Sequence, residues 1–255
     1  MSFDACAALV EKADPDRFRA IMAAPVAARQ VLFPLYAFNV EVIRAPWVTK
    51  EPMIAEMRLQ WWRDALEEIV TGGVVRRHEV VDALAEVLDR QGAQSLDAMI
   101  AARRWDIYND PFADWADFDA YIANTSGLLM ITAARLLGDS DETIVADFAY
   151  ATGVANLLRA LPVLLERQRQ PLPESSPDGI ARLATRAVDR LNAARNGRAG
   201  VTAEAGGALL LGHAARPVLQ KAQTDPEAVL QGRLELTPLR QSLRLTHAAL
   251  RGWWV

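Results

Sequence analysis

The chain has 255 residues, 51% of them hydrophobic and 24% charged, the composition of a globular protein long enough to bury a sizeable core. Twenty-eight Lys and Arg against 32 Asp and Glu leave a net charge of −4, which excludes the basic surplus of a nucleic-acid binder. A single Cys6 excludes an internal disulfide framework and a Cys-based zinc site, and three scattered histidines (His78, His213 and His247) do not make a metal cluster.

The first residues carry Asp4 and Glu11 and lack the basic flank and apolar run of a signal peptide. No window approaches 18 uninterrupted apolar residues, so a cytoplasmic protein without a membrane span is expected, with peripheral membrane contact left open. Pro34 sits in otherwise helical text and should kink or interrupt its helix. Over 51–70 the apolar positions Ile54, Met57, Trp61, Ala65 and Ile69 recur at three- and four-residue steps. That spacing predicts a helix with Pro52 in its first turn and Thr71-Gly72-Gly73 as its stop. Helices follow over 78–90 and 95–108, and a longer one over 117–137 that closes on Gly138 as a left-handed cap. The next spans 141–167 and contains the second internal proline, Pro162. The run 170–177, with Pro171, Pro173 and Pro177, is the best linker candidate, but the text on both sides is alike and one domain over 1–255 is expected. Helices resume over 178–196, 202–223 and 236–254. Strand alternation bounded by turns is absent, and the fold class is all-α.

Several local features offer chemistry. Asp106 and Asp110 stand four apart, a spacing that on a helix gives one face able to hold a magnesium ion. Pro111 follows at once, however, and Asp114, Asp117 and Asp119 make capping and solvation the plainer reading. His213 and His247 have no acidic partner close in sequence. Gly72-Gly73 and Gly206-Gly207 lack the spacing and strand context of phosphate loops. Trp61-Trp62 suits core packing, whereas Trp253-Trp254 beside Arg251 suits either the core or a lipid headgroup layer.

Two longer segments stand above this background. The first runs through Leu35-Tyr36-Ala37-Phe38-Asn39-Val40-Glu41 and on to Met57-Arg58-Leu59-Gln60-Trp61-Trp62-Arg63. The second is Gly153-Val154-Ala155-Asn156-Leu157-Leu158-Arg159-Ala160-Leu161-Pro162. Together with Tyr121 to Gly138 they resemble the squalene/phytoene synthase family of head-to-head prenyltransferases, over most of the chain and least over 178–234. The resemblance implies a helical bundle of the isoprenoid synthase type around a central cavity. An active member ionises an isoprenyl diphosphate with magnesium ions held by Asp-x-x-x-Asp pairs on two facing helices. The positions that correspond to those aspartates hold Ile43 and Trp47 in the first motif, and Ala160 and Leu164 in the second. Apolar groups there leave magnesium without anionic ligands.

This departure is similar to the complex I assembly factor branch of the same family, in Ala37 to Glu41, in Met57 to Trp62 and in Arg-Ala-x-Pro where the enzymes have Arg-Asp. The resemblance therefore implies a protein without catalytic or metal-binding residues and without a cofactor, acting in assembly of a respiratory NADH dehydrogenase with one of its subunits as partner. The alternative is an active prenyltransferase that uses magnesium with farnesyl or geranylgeranyl diphosphate. On a helix, Tyr36, Asn39, Val40, Ile43 and Trp47 share a face. Across the cavity would come Gly153, Asn156, Ala160 and Leu164, with Arg159 beside them and Tyr121 from the middle helix. Asn39, Asn156 and Arg159, with Glu41 or Arg44 reaching in, are expected to form a polar knot that fixes helix register or holds the head of an isoprenoid, quinone or lipid. A buried Arg159 needs a partner.

Overall fold

The computed structural model describes residues 2–72, 75–108 and 110–255; Gly73, in the expected stop after residue 70, lies outside them. The helices are α1 (Ser2–Ala13), α2 (Pro15–Ala23), α3 (Val26–Arg44), α4 (Pro52–Thr71), α5 (Glu79–Ala85), α6 (Arg90–Arg103), α7 (Trp105–Tyr108), α8 (Trp115–Ile122), α9 (Leu128–Leu137) and α10 (Glu142–Glu166). They continue as α11 (Pro177–Asn196), α12 (Ala203–Leu209), α13 (Ala215–Thr224), α14 (Glu227–Leu230) and α15 (Pro238–Arg251). Among the described residues there is no strand beyond one isolated bridge, between Ser140 and Val201.

Side-chain caps start many of these helices. Asp14, Ser176 and Thr237 each accept a backbone N–H of the first turn, and each is followed by a proline at the first helical position. Asp114 likewise accepts from the N–H of Asp117 at 2.9 Å, so capping does explain part of the Asp-rich loop. Gly72 ends α4 in the left-handed region at φ 68°. Gly138 does not end α9 that way. Its φ of 174° is extended, and glycine is needed there because a Cβ would stand 2.8 Å from Thr202 Oγ1.

Three further expectations are corrected. The break placed between 90 and 95 falls at 86–89, where Asp89 accepts from the N–H of Gly92 and begins α6, leaving Ser95 inside the helix. The helix expected over 117–137 contains a π turn at Ala123–Gly127, and that over 202–223 is interrupted at Leu210–Gly212. Of the two outcomes expected at Pro34 and Pro162, a kink or an interruption, interruption does not occur: both prolines lie inside continuous helices that other helices pack on several sides. Three helices, α1, α2 and α14, had no sequence prediction.

A single apolar cluster runs from Cys6 to Trp253, with α3 and α10 at its centre. Leu32, Phe33, Leu35 and Phe38 of α3 are at most 1% exposed, and burial of each contributes about 1.5–3 kcal/mol. By length and composition both α3 and α10 are apolar enough to cross a membrane, with mean hydropathies of 1.2 and 1.4. More than half of each apolar window (61% and 56%) is buried inside the bundle. α3 packs on α1, α5, α9 and α2, while α10 packs on α11, α13, α9 and the π turn.

Candidate functional site

The ten positions expected around a central cavity separate into three environments. Tyr36, Asn39 and Val40 are buried in the core, at 2%, 1% and 7% exposure. Burial pushes the Tyr36 hydroxyl up to about 12, partly opposed by Arg17, whose guanidinium lies 5.4 Å from the ring centroid. The Nδ2 of Asn39 is buried without a hydrogen-bond partner. Gly153 faces no cavity. A Cβ there would stand 2.8 Å from Ser126 Cβ, so glycine lets α10 approach the π turn closely.

The second environment is a cleft of about 170 Å³ lined by Asp14, Asp16, Arg17, Asn156, Arg159 and His213 among others. Here the expected polar knot is corrected. Arg159 finds its partners in carboxylates, not in Asn39 or Asn156. Its Nε donates to Glu235 Oε1 at 3.0 Å, and its Nη2 donates to Glu235 Oε2 at 2.8 Å and to Asp16 Oδ2 at 3.1 Å. Burial lowers the Arg159 guanidinium, but the two carboxylates outweigh it and hold it above its ordinary value. Burial holds His213 below its ordinary value. Glu41 and Arg44 do not line this cleft and pair with each other at 3.2 Å.

The third environment lies where α3 and α10 end. α3 stops at Arg44, so Trp47 leaves the helical face it was assigned to and sits 40% exposed in the following turn. The guanidiniums of Arg167 and Arg169, just past α10, lie 4.8 and 4.7 Å from its ring centroid. Arg169 also donates to the carbonyl of Asp106 at 2.6 Å. Tyr121 belongs to an aromatic nest with Trp105 and Phe112. Its hydroxyl donates to Asp106 Oδ1 and accepts from Arg103 Nη1, both at 2.8 Å. Burial drives this phenol far above its usual range. Ile43 is half-buried and Ala160 is exposed. Asn156 and Arg159 line the cleft of the second environment, and none of the other eight positions lines that cleft or the other four pockets found among the described residues.

The magnesium reading of Asp106 and Asp110 fails on geometry. Asp106 is committed to Tyr121 and Arg103, and α7 ends at Tyr108, which leaves Asp110 off the helix. No three His, Cys, Asp or Glu side chains converge among the described residues. Trp253 packs on Phe148 at 4.9 Å between centroids and is 4% exposed, so it is a core residue.

The Trp61-Trp62 pair was expected to be core only. Trp62 is buried, but both rings also line a surface pocket of about 450 Å³ with Glu41, Ile54, Met57, Arg58 and His78. His78 sits beside both indoles at 5.3 and 5.2 Å, while its Nδ1 accepts from Val80 N–H at 3.2 Å. Glu41 from the first stretch thus shares this pocket with Met57, Arg58, Trp61 and Trp62, whereas Ala37, Phe38, Asn39 and Val40 stay buried behind it.

The profile of the squalene/phytoene synthase family matches residues 10–176, and the chain belongs to that family. Its fold is that of a crystal structure of a dehydrosqualene synthase in complex with ligand, with a TM-score of 0.78 over 96% of this chain and 94% of that one at 13% identity. Among curated relatives it is 29% identical over 175 residues to the Drosophila melanogaster protein named NADH dehydrogenase (ubiquinone) complex I, assembly factor 6 homolog. It is 24% identical over 173 residues to the human assembly factor 6. These matches take in 65% and 66% of this chain, and the chain spans about half (52%) of each relative.

Proposed function

We propose that this chain is a squalene/phytoene synthase family protein without prenyltransferase catalysis, which assists assembly of a respiratory NADH dehydrogenase. It works in the cytoplasm, beside the inner membrane, and needs neither magnesium nor another cofactor. One observation carries the reading. Where the enzymes of the family require two facing carboxylate pairs, this chain has Ile43, Trp47, Ala160 and Leu164, and Trp47 lies under two guanidiniums. A divalent cation placed there would meet positive charge and no anionic ligand.

The names of the relatives support the assembly role, as does the pocket at Glu41, Met57 and Arg58. Met53 and Met57 stand 74% and 66% exposed at this face, and methionines adapt readily to an apolar partner surface. A subunit of the complex docks here. The cleft at Asn156 receives the polar end of an isoprenoid, quinone or lipid.

The test is removal of the protein from its host. NADH:quinone activity and the assembled complex should fall and be restored by the parent chain, while Met57→Glu, at an exposed position, restores neither. Unchanged NADH:quinone activity with a fall in isoprenoid hydrocarbons would establish the prenyltransferase reading in its place.

A further inference from the structure

The helix α15 buries Leu245 and Ala248 and turns a second apolar stripe outward. Leu239, Leu243 and Leu250 are 69%, 61% and 79% exposed, and at helical spacing they fall within one narrow sector. His247, Arg240 and Arg251 follow along one side of that sector. In a chain of net charge −4, this helix has three arginines and no acidic residue. Such a helix has the make-up of one that lies in the plane of a bilayer interface.

A groove of about 990 Å³ continues the same face, between the turn joining α2 to α3 and the end of α15. Its charged lining residues are Arg29, Arg198 and Arg251, with no acid among them. Val26 at its edge is 69% exposed. Two N–H donors of the lining, Arg29 Nε and Trp253 Nε1, are buried without an acceptor. Trp253 as a whole is only 4% exposed. Buried donors without partners are costly, and a cluster of them beside arginines calls for a ligand rich in acceptors.

We propose that α15 and this groove form a docking surface for an anionic phospholipid bilayer. The three leucines enter the acyl boundary, Arg240 and Arg251 lie against the phosphates, and the groove admits one headgroup whose phosphate and ester oxygens satisfy Arg29 and Trp253. The groove shares no lining residue with the Met57 pocket or the Arg159 cleft. It shares with the function proposed above only the expectation of a peripheral protein.

The full chain should co-sediment with vesicles of phosphatidylglycerol and phosphatidylcholine, much more weakly with phosphatidylcholine alone, and progressively less as salt rises. Arg240→Gln and Arg251→Gln should each weaken partitioning about fivefold. Leu239→Asp with Leu243→Asp should weaken it by about tenfold or more, with an unchanged melting temperature because both side chains are outside the core. Free inorganic phosphate at the concentration of the lipid phosphate should not displace the protein. Equal binding to neutral vesicles, no binding, displacement by free phosphate, or parental binding by the leucine variant would each overturn the proposal. So would a dimer in solution that the leucine substitutions abolish, since a second copy would then be the occupant.

Discussion

Arg159 is bonded to two carboxylates that lie 76 and 143 residues away in sequence. The guanidinium fork suits this arrangement, because it meets Glu235 through two parallel donors and still reaches Asp16, which a lysine could not do. Its need for a partner is visible from the residue type and its setting on an apolar helix. The identity of the partner is not, since no local pattern links position 159 to 16 or 235, and the amides of Asn39 and Asn156 are the wrong choice. Arg159→Met keeps the apolar stem and releases two part-exposed carboxylates to water, so the loss should be modest, about 1–2 kcal/mol. It should lower the urea midpoint and leave the slope of the transition unchanged. A midpoint equal to that of the parent would mean that the three bonds are offset by the ordering they require.

At the scale of elements, hydrophobic periodicity located α4, α10 and α11 to within a residue or two, because their caps and prolines agree with the apolar pattern. It failed where tertiary contacts decide. Asp89 caps α6 through the N–H of Gly92, which starts the helix ahead of Ser95, and it is also the partner of Arg135 on α9, at 2.6 and 2.7 Å. The π turn at Ala123–Gly127 has no periodic signature, yet Gly153 opposite it is legible afterwards as the point where two backbones meet. Gly153→Ala should press Ser126 and Ile122 and cost about 1–3 kcal/mol, seen as a lower melting temperature with the helical circular dichroism retained. An unchanged melting temperature would show that the π turn yields without strain.

Taken whole, the molecule has the fold of a dehydrosqualene synthase, and the positions expected around one cavity lie in three environments. The all-α fold could be read from the sequence because helix patterning is local and repeated along the chain. The residues that carry the family resemblance could be read for the same reason. What surrounds them could not. The rows at Tyr36 to Trp47 and Gly153 to Ala160 divide among the core, a charged cleft and an arginine-capped tryptophan, and the chain ends that produce this division come from distant segments. The surface pocket at Met57 was equally hidden, because an exposed methionine and a buried one occupy the same helical pattern until the neighbouring helices are placed. The decisive measurement is diphosphate release when the purified chain is incubated with magnesium and farnesyl or geranylgeranyl diphosphate, with an active prenyl synthase as the control. Release at the level of a no-protein blank is predicted, because Ile43, Trp47, Ala160 and Leu164 offer a metal ion no ligand. Magnesium-dependent release above that blank, lost when the metal is chelated, would contradict it.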